Sequence, residues 1–169
     1  VGRQPERSFF TDLGANMTKQ ILQEVRVFSP ATVANVACGF DVLGFAIELP
    51  GDEIIVRSSS QPGFRITKIT GDDGRLPLDP KLNTAGVAAL DLLRHLGRAD
   101  LGIEMEIHKQ MPFGSGLGSS AASAVGGAFA VNQLLGEPLT RRQLLPFVVA
   151  GEAAADGASI IATQELFLT

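Results

Sequence analysis

Three glycines at alternate positions constrain this chain more than any other feature. Gly114, Gly116 and Gly118 follow a segment of strand-like alternation and lead directly into an alanine-rich segment. Glycine tolerates positive φ and lets a backbone approach a ligand closely. The free amides at the start of a helix attract an anion. The pattern therefore predicts a strand, an anion-binding loop and a helix in succession.

The glycine pattern matches neither of two familiar phosphate loops. A Walker loop needs a lysine after its last glycine, where this chain has Ser119 and Ser120. A dinucleotide pattern can be placed on residues 116–121, but the acidic residue expected about 20 positions later is replaced by a basic stretch. A glycine turn that serves only close packing is the structural alternative. The two serines favour a phosphate or Mg²⁺ ligand instead.

Apolar and polar residues alternate before the glycine loop, and this pattern predicts a strand with one face in solvent. Ile103, Met105 and Ile107 alternate with polar residues, a pattern typical of antiparallel or mixed sheets. We expect residues 29–30 to end a first strand and residues 50–52 to form a turn between two others. The predicted strands besides 103–107 lie at residues 25–28, 41–49, 53–57 and 64–69.

Helix ends are indicated by capping residues. Asn83 is suited to cap a helix that extends to Leu96, along which Val87, Leu90 and Leu93 recur every three residues. A second helix is predicted at residues 119–135. A third begins with the capping-box pair Thr140 and Gln143, and Pro146 should kink it or shift its start.

Composition excludes several classes of function. The 169 residues carry 14 Lys and Arg against 18 Asp and Glu, a net charge of −4 that offers no basic field for nucleic acid. The sequence contains no uninterrupted apolar run that is long enough to predict a membrane-spanning helix. A single cysteine, Cys38, forms neither an internal disulfide nor a cysteine-rich zinc site, and we expect it to be a small buried residue. His95 and His108 lack metal-ligand spacing and are expected at the surface or in structural roles.

The two ends of the sequence differ from its middle. Residues 1–16 have no sustained hydrophobic period and no apolar run of a secretory signal. We interpret them as a non-native or disordered extension. Residues 159–169 are interpreted as a divergent tail, so that the predicted folded unit spans residues 17–158.

Residues 112–123 resemble the phosphate-binding motif of the GHMP kinases, a group of small-molecule kinases. Residues 29–44 are similar to the first motif of the homoserine kinases within that group, and residues 83–90 to their early helix. The likeness extends over residues 24–158. It implies an α+β fold with a mixed or antiparallel sheet and helices on one face. Residues 17–158 would form the N-terminal ATP-binding domain, with the C-terminal domain absent.

The resemblance implies the binding residues as well. Ser120 and Glu152 would hold Mg²⁺, which prefers hard oxygen ligands, and Asn83 would lie on the adenine side of ATP. Asn35 and Asp41 would bind the amino-acid substrate, with the carboxylate facing its ammonium group. The ATP phosphates would lie against Pro112, Gly114, Ser115, Gly116, Leu117, Gly118, Ser119 and Ser120.

The implied reaction transfers the γ-phosphoryl group of ATP to the hydroxyl of L-homoserine, which supplies threonine synthesis. Positioning and charge neutralisation can drive such a transfer, and no catalytic base is assigned. We expect a cytoplasmic enzyme without nucleic-acid or membrane partners, either a monomer or a homodimer. Two alternatives stay open: another GHMP kinase with a different acceptor alcohol, and a nucleotide-binding module without catalysis.

The sequence departs from the family pattern after Glu152. Family members continue with Ser-Gly-Ala-x-His-x-Asp-Asn, whereas residues 156–169 contain neither a histidine nor an Asp-Asn pair. The family's third motif and its arginine contacts to the substrate carboxylate have no counterpart here. We therefore expect the chain alone to turn over homoserine very slowly or not at all.

Taken singly, several of these residues have plainer interpretations. Asn35 and Asp41 are also typical of turns, and Glu152 of a solvated helix face. Lys109, just before the loop, is suited either to a phosphate contact or to a solvated strand end.

Overall fold

The computed structural model describes residues 21–34, 36 and 43–154. The predictions for Asn35, Cys38 and Asp41, and for the two end segments 1–16 and 159–169, lie outside these residues. Within the described part, the elements are β1 (Glu24–Val33), β2 (Phe45–Ser58), β3 (Phe64–Thr70), α1 (Thr84–His95), β4 (Ile103–His108), α2 (Ser119–Leu134) and α3 (Arg141–Ala153).

The four strands form one mixed sheet in the order β1-β2-β4-β3. β2 pairs antiparallel with β1 and with β4, whereas β3 and β4 are parallel. A parallel pair needs a crossover connection, and α1 lies in the connection between these two strands. The predicted α+β class and mixed sheet are therefore confirmed.

The core lies between one face of the sheet and the three helices. Ile103, Met105 and Ile107 of β4 are fully buried, while the residues between them are partly exposed, as their alternation predicts. Salt bridges cover the opposite face, among them those that Arg57 of β2 makes with Glu24 and Glu106. Helices on one face are thus confirmed. None of the helices in the described ranges is long and apolar enough to cross a membrane.

Two of the predicted strand boundaries are wrong. β1 continues through residues 29–30, and β2 continues through residues 50–52, where a turn was expected. The first half of β2 pairs with β1 alone, because β4 pairs only from Glu53 onward. Proline is tolerated next to an irregularity in an outer strand pair, and the β1–β2 register shifts between Pro30 and Thr32. Gly51 allows close approach here, because a Cβ atom on it would collide with the Phe28 ring.

α1 has the predicted ends but a different buried face. Asn83 is its N-cap and Leu96 its C-cap. Val87 and Leu90 are only half-buried, whereas two leucines and several small residues face the core. The spacing by threes therefore does not mark the buried face of α1. Small side chains lie on that face, and they allow the neighbouring helices to come close. The buried residues of α1 are Ala85, Gly86, Ala88, Ala89, Leu92 and Leu93.

α3 begins at Arg141, directly after the predicted capping box of Thr140 and Gln143. Pro146 lies inside the helix and leaves this start unchanged. The predicted second helix is confirmed as α2, which ends one residue early with Leu135 as its C-cap.

Replacing Asn83 by alanine should destabilise the domain. The Asn83 Oδ1 atom accepts a hydrogen bond from the Ala85 amide (3.1 Å), and Nδ2 donates one to the Pro77 carbonyl (3.2 Å). Losing an N-cap typically costs about 1 kcal/mol. We expect urea unfolding to show this loss for Asn83→Ala and a smaller loss for Asn83→Asp, which keeps the oxygen acceptor. Equal stability of Asn83→Ala and the parent chain would contradict the capping role.

Candidate functional site

The three loop glycines all adopt left-handed backbone angles. Gly114, Gly116 and Gly118 have φ values of +66°, +74° and +67°, which L side chains rarely adopt. Gly118 is also the N-cap of α2 and provides no side-chain cap. Consecutive amides in loops of this kind form concave anion sites. The predicted strand, glycine loop and helix are therefore present in that order.

The amides of this loop are available to a ligand. Among the described residues, the backbone N–H groups of residues 114–121 have no acceptor, and the first amide bonded within the helix is that of Ala122, to the Gly118 carbonyl (2.9 Å). A Cβ atom on Gly114 or Gly116 would meet no other atom within 4 Å. Within the described part of the chain, the positive end of the α2 dipole thus carries amide donors without acceptors.

The remaining loop residues shape its backbone. The Ser115 hydroxyl donates to the Pro112 carbonyl (2.8 Å). The Leu117 carbonyl accepts from the Thr32 amide of β1 (2.9 Å), and the Leu117 side chain packs on a small buried cluster that includes Met111. The loop is therefore tied to β1 at Leu117, while Gly114 and Gly116 stay exposed and Gly118 is partly buried.

Glu152 of α3 lies beside the start of α2. Its side chain is buried, and its Oε1 atom accepts a hydrogen bond from the Ser120 hydroxyl at 2.5 Å. Burial raises the pKa of the Glu152 carboxyl, and the hydrogen bond from Ser120 and the charge of Lys109 oppose that rise. The interpretation of Glu152 as a solvated helix-face residue is wrong, because α3 packs this residue inward.

A buried ion pair beneath the loop was missed by the sequence analysis. Asp52 of β2 is fully buried and pairs with the Lys109 ammonium, whose side chain is 2% exposed. Desolvation lowers the pKa of Lys109, and the charges of Asp52 and Glu152 oppose that change. Lys109 is therefore not a solvated strand end. Alternation of buried and exposed residues along extended strands could have found both residues. Asp52 lies two positions before the buried Ile54, and Lys109 lies two positions after the buried Ile107.

For the other predicted residues, the structure says less about a role in binding. Asn83 uses both polar ends of its side chain within the protein, as described above, so its place on the adenine side of ATP stays a prediction. The roles of Asn35 and Asp41 also stay predictions. His95 packs against Phe147, and His108 hydrogen-bonds Thr70 at 2.8 Å. Among the described residues, no cluster of three or more His, Cys, Asp or Glu side chains could hold a metal.

Comparison with known proteins identifies this arrangement. The family model of the GHMP kinases N terminal domain matches residues 83–163. The crystal structure of homoserine kinase from Cytophaga hutchinsonii has a TM-score of 0.80 and 53% identity, covering 85% of this chain and 45% of that one. The chain belongs to the GHMP kinases. A homoserine kinase of Chlorobium phaeobacteroides is 48% identical over 149 residues, which cover 82% of this chain and 46% of that protein.

The GHMP kinase fold extends to more distant structures. The mevalonate kinase of Methanococcus jannaschii has a TM-score of 0.64 at 20% identity, over 85% of this chain and 51% of that one. The chain spans about half the length of the relatives it matches. The matched segment contains both the glycine loop and Glu152, so the geometry above belongs to the GHMP kinase N-terminal domain.

Replacing Glu152 by glutamine should change how the stability of this GHMP kinase domain depends on pH. Because the folded-state pKa of Glu152 is raised, the stabilisation present at low pH is lost as pH rises through that pKa. Glutamine does not titrate, so Glu152→Gln should gain stability over the parent chain as pH increases. Urea unfolding between pH 5 and 8 measures this difference.

Glu106→Gln is the matched control with the opposite sign. The Arg57 guanidinium lowers the pKa of Glu106, so this carboxylate stabilises the fold above its unfolded pKa and loses that effect as pH falls. Glu106→Gln should therefore be less stable than the parent chain at neutral pH. A Glu152→Gln stability curve parallel to that of the parent chain would contradict the assignment of a raised pKa.

Proposed function

We propose that the glycine loop binds the phosphates of ATP and that this domain serves the transfer of a phosphoryl group to L-homoserine. The observation that supports ATP binding most directly is the set of amides at residues 114–121, at the positive end of α2, that have no acceptor among the residues the structure describes. Such amides bind anions without side-chain charge. The open space beside Gly114 and Gly116 in the loop leaves room for a multiply charged phosphate chain.

The residues beside the loop fit a magnesium ion. The Glu152 Oε2 atom is buried and has no hydrogen-bond partner within the described ranges, and Ser120 contributes a hydroxyl oxygen next to it. Mg²⁺ is usually held by one or two carboxylates together with substrate phosphates, so a single glutamate and a serine are an adequate protein contribution. Ser120 and Glu152 would hold the ion, which when bound neutralises charge on the transferred phosphoryl group.

The acceptor in this proposal is the side-chain hydroxyl of L-homoserine. The support is that two relatives, at 48% and 53% identity, are homoserine kinases. The bond between the γ-phosphorus and its bridging oxygen would break as the homoserine oxygen attaches, giving O-phosphohomoserine and ADP. Asn35 and Asp41 are proposed to bind the amino acid. A cytoplasmic location, a role in threonine synthesis and a homodimer belong to the same proposal.

A second candidate is a domain that binds nucleotide without transferring the phosphoryl group. The observation in its favour is that the loop amides account for nucleotide binding, whereas the proposed acceptor ligands Asn35 and Asp41 lie outside the described residues. An ADP-release assay with and without L-homoserine separates the two candidates. ADP formation that depends on homoserine, at however slow a rate, supports the kinase, whereas ATP binding with no homoserine-dependent turnover supports the binding module.

An aspartate in place of Gly116 should abolish ATP binding. Its carboxylate would repel the phosphates, and its side chain would enter the open space that the ligand needs. We expect the dissociation constant for MgATP, measured by calorimetry, to rise at least tenfold, which is about 1.4 kcal/mol of binding free energy.

Gly63→Asp is the control for the backbone strain of this substitution. Gly63 has a φ of +88° and no neighbour within 4 Å of a Cβ atom, and it precedes β3, at the opposite end of the β3–β4 pair from the loop. Gly63→Asp should bind MgATP as the parent chain does. Equal loss of affinity in both variants, or unchanged affinity in Gly116→Asp, would refute the phosphate loop.

A further inference from the structure

Asp52 holds the first end of the glycine loop. Its Oδ1 atom accepts hydrogen bonds from the amides of Gln110 (2.7 Å) and Met111 (3.1 Å). These two residues connect β4 to the loop. Because Asp52 is fully buried in the middle of β2, its carboxylate fixes where the chain leaves the sheet.

Lys109 holds the other end. Its Nζ atom donates to the Ser119 carbonyl (3.1 Å) and to the Ser123 hydroxyl (2.8 Å), both in the first turns of α2, and also pairs with Asp52. An ammonium group has three donors, and these three acceptors account for all of them. Lys109 therefore has no donor left for a phosphate.

We propose that Asp52 and Lys109 are positioning residues that join the two ends of the glycine loop, so that its amides converge on one anion. The proposal rests on the proposed function of the loop. The pair connects β2, the end of β4 and the start of α2.

The physical reason for such a pair is conformational entropy. Glycines lose more backbone freedom on ordering than other residues, and the loop has three of them within five positions. A binding site that is already ordered before the ligand arrives avoids that cost at the moment of binding. Buried ion pairs contribute little net stability compared with apolar side chains of similar volume. A role in geometry therefore explains this pair better than a role in stability.

The alternative is that Lys109 is a phosphate ligand held in reserve by Asp52. The two hypotheses predict opposite effects for Asp52→Asn. Release of a reserve lysine would tighten the binding of MgATP. Loss of a positioning pair would weaken it, because the start of α2 is no longer joined to β2.

The decisive variant combines Asp52→Asn with Lys109→Met. The asparagine oxygen can still accept from Gln110 and Met111, whereas methionine fills the space of the lysine stem and leaves no buried charge. The bridge to Ser119 and Ser123 is then removed without an uncompensated ion. The matched control is Arg57→Met with Glu106→Gln, which removes an ion pair of the same two strands on the opposite face of the sheet.

Two measurements on the 169-residue chain test the proposal. Hydrogen exchange of the hydrogen-bonded amides at residues 110, 111 and 122–124 should become at least tenfold faster in the Asp52/Lys109 double variant, with exchange in the rest of the sheet unchanged. The dissociation constant for MgATP should rise at least tenfold at a temperature where the variant is folded. The control double variant should match the parent chain in both measurements.

Each outcome decides between the hypotheses. Unchanged exchange at residues 110, 111 and 122–124, or unchanged affinity in a folded double variant, overturns the positioning role. If the double variant does not fold, Asp52→Asn alone decides by the sign of its effect on affinity and exchange. If the parent chain does not bind MgATP, the proposed function fails, and hydrogen exchange still tests whether the pair orders the loop.

Discussion

Close packing of α2 against its neighbours is the constraint on which the rest of the structure depends. A Cβ atom on Gly127 would lie 2.6 Å from the Ala85 carbonyl oxygen of α1, and one on Gly151 of α3 would lie 3.1 Å from the Ala124 Cβ atom of α2. Larger side chains at either glycine would push the helices apart. Because Glu152 directly follows Gly151, the same close contact brings its carboxylate to Ser120 and thus to the glycine loop.

Charge pairing and hydrogen bonding explain how ionisable side chains beside the glycine loop are tolerated in the interior. Asp52 and Lys109 neutralise each other, and the polar groups around them satisfy the remaining donors and acceptors. Glu152 is different, because one of its oxygens has no partner among the described residues and burial raises its pKa. A buried carboxylate in this condition favours either a proton or a cation. Under the proposed function, Mg²⁺ would supply the cation at Glu152, and the ATP phosphates would supply the anion at the loop amides.

Local patterns in the sequence were enough for the features that depend on neighbouring residues. The glycine loop, the Asn83 cap and the capping box at Thr140 all follow from short-range hydrogen bonding and backbone preference. The course of β2 does not, because the residues at 50–52 favour a turn locally and are held extended only by pairing with β1. Asp52 was missed for the same reason. If residues 50–52 form a turn, alternation does not predict that Asp52 lies on the same buried face as Ile54.

The glycine loop contributes backbone amides, and these are the same whatever the acceptor of the phosphoryl group. Under the proposed function, discrimination between acceptors would come from side chains outside the loop, of which Asn35 and Asp41 are the proposed examples. The loop and its buried anchors would then define where the phosphate chain lies, and the choice of alcohol would be a separate property of the surrounding chain.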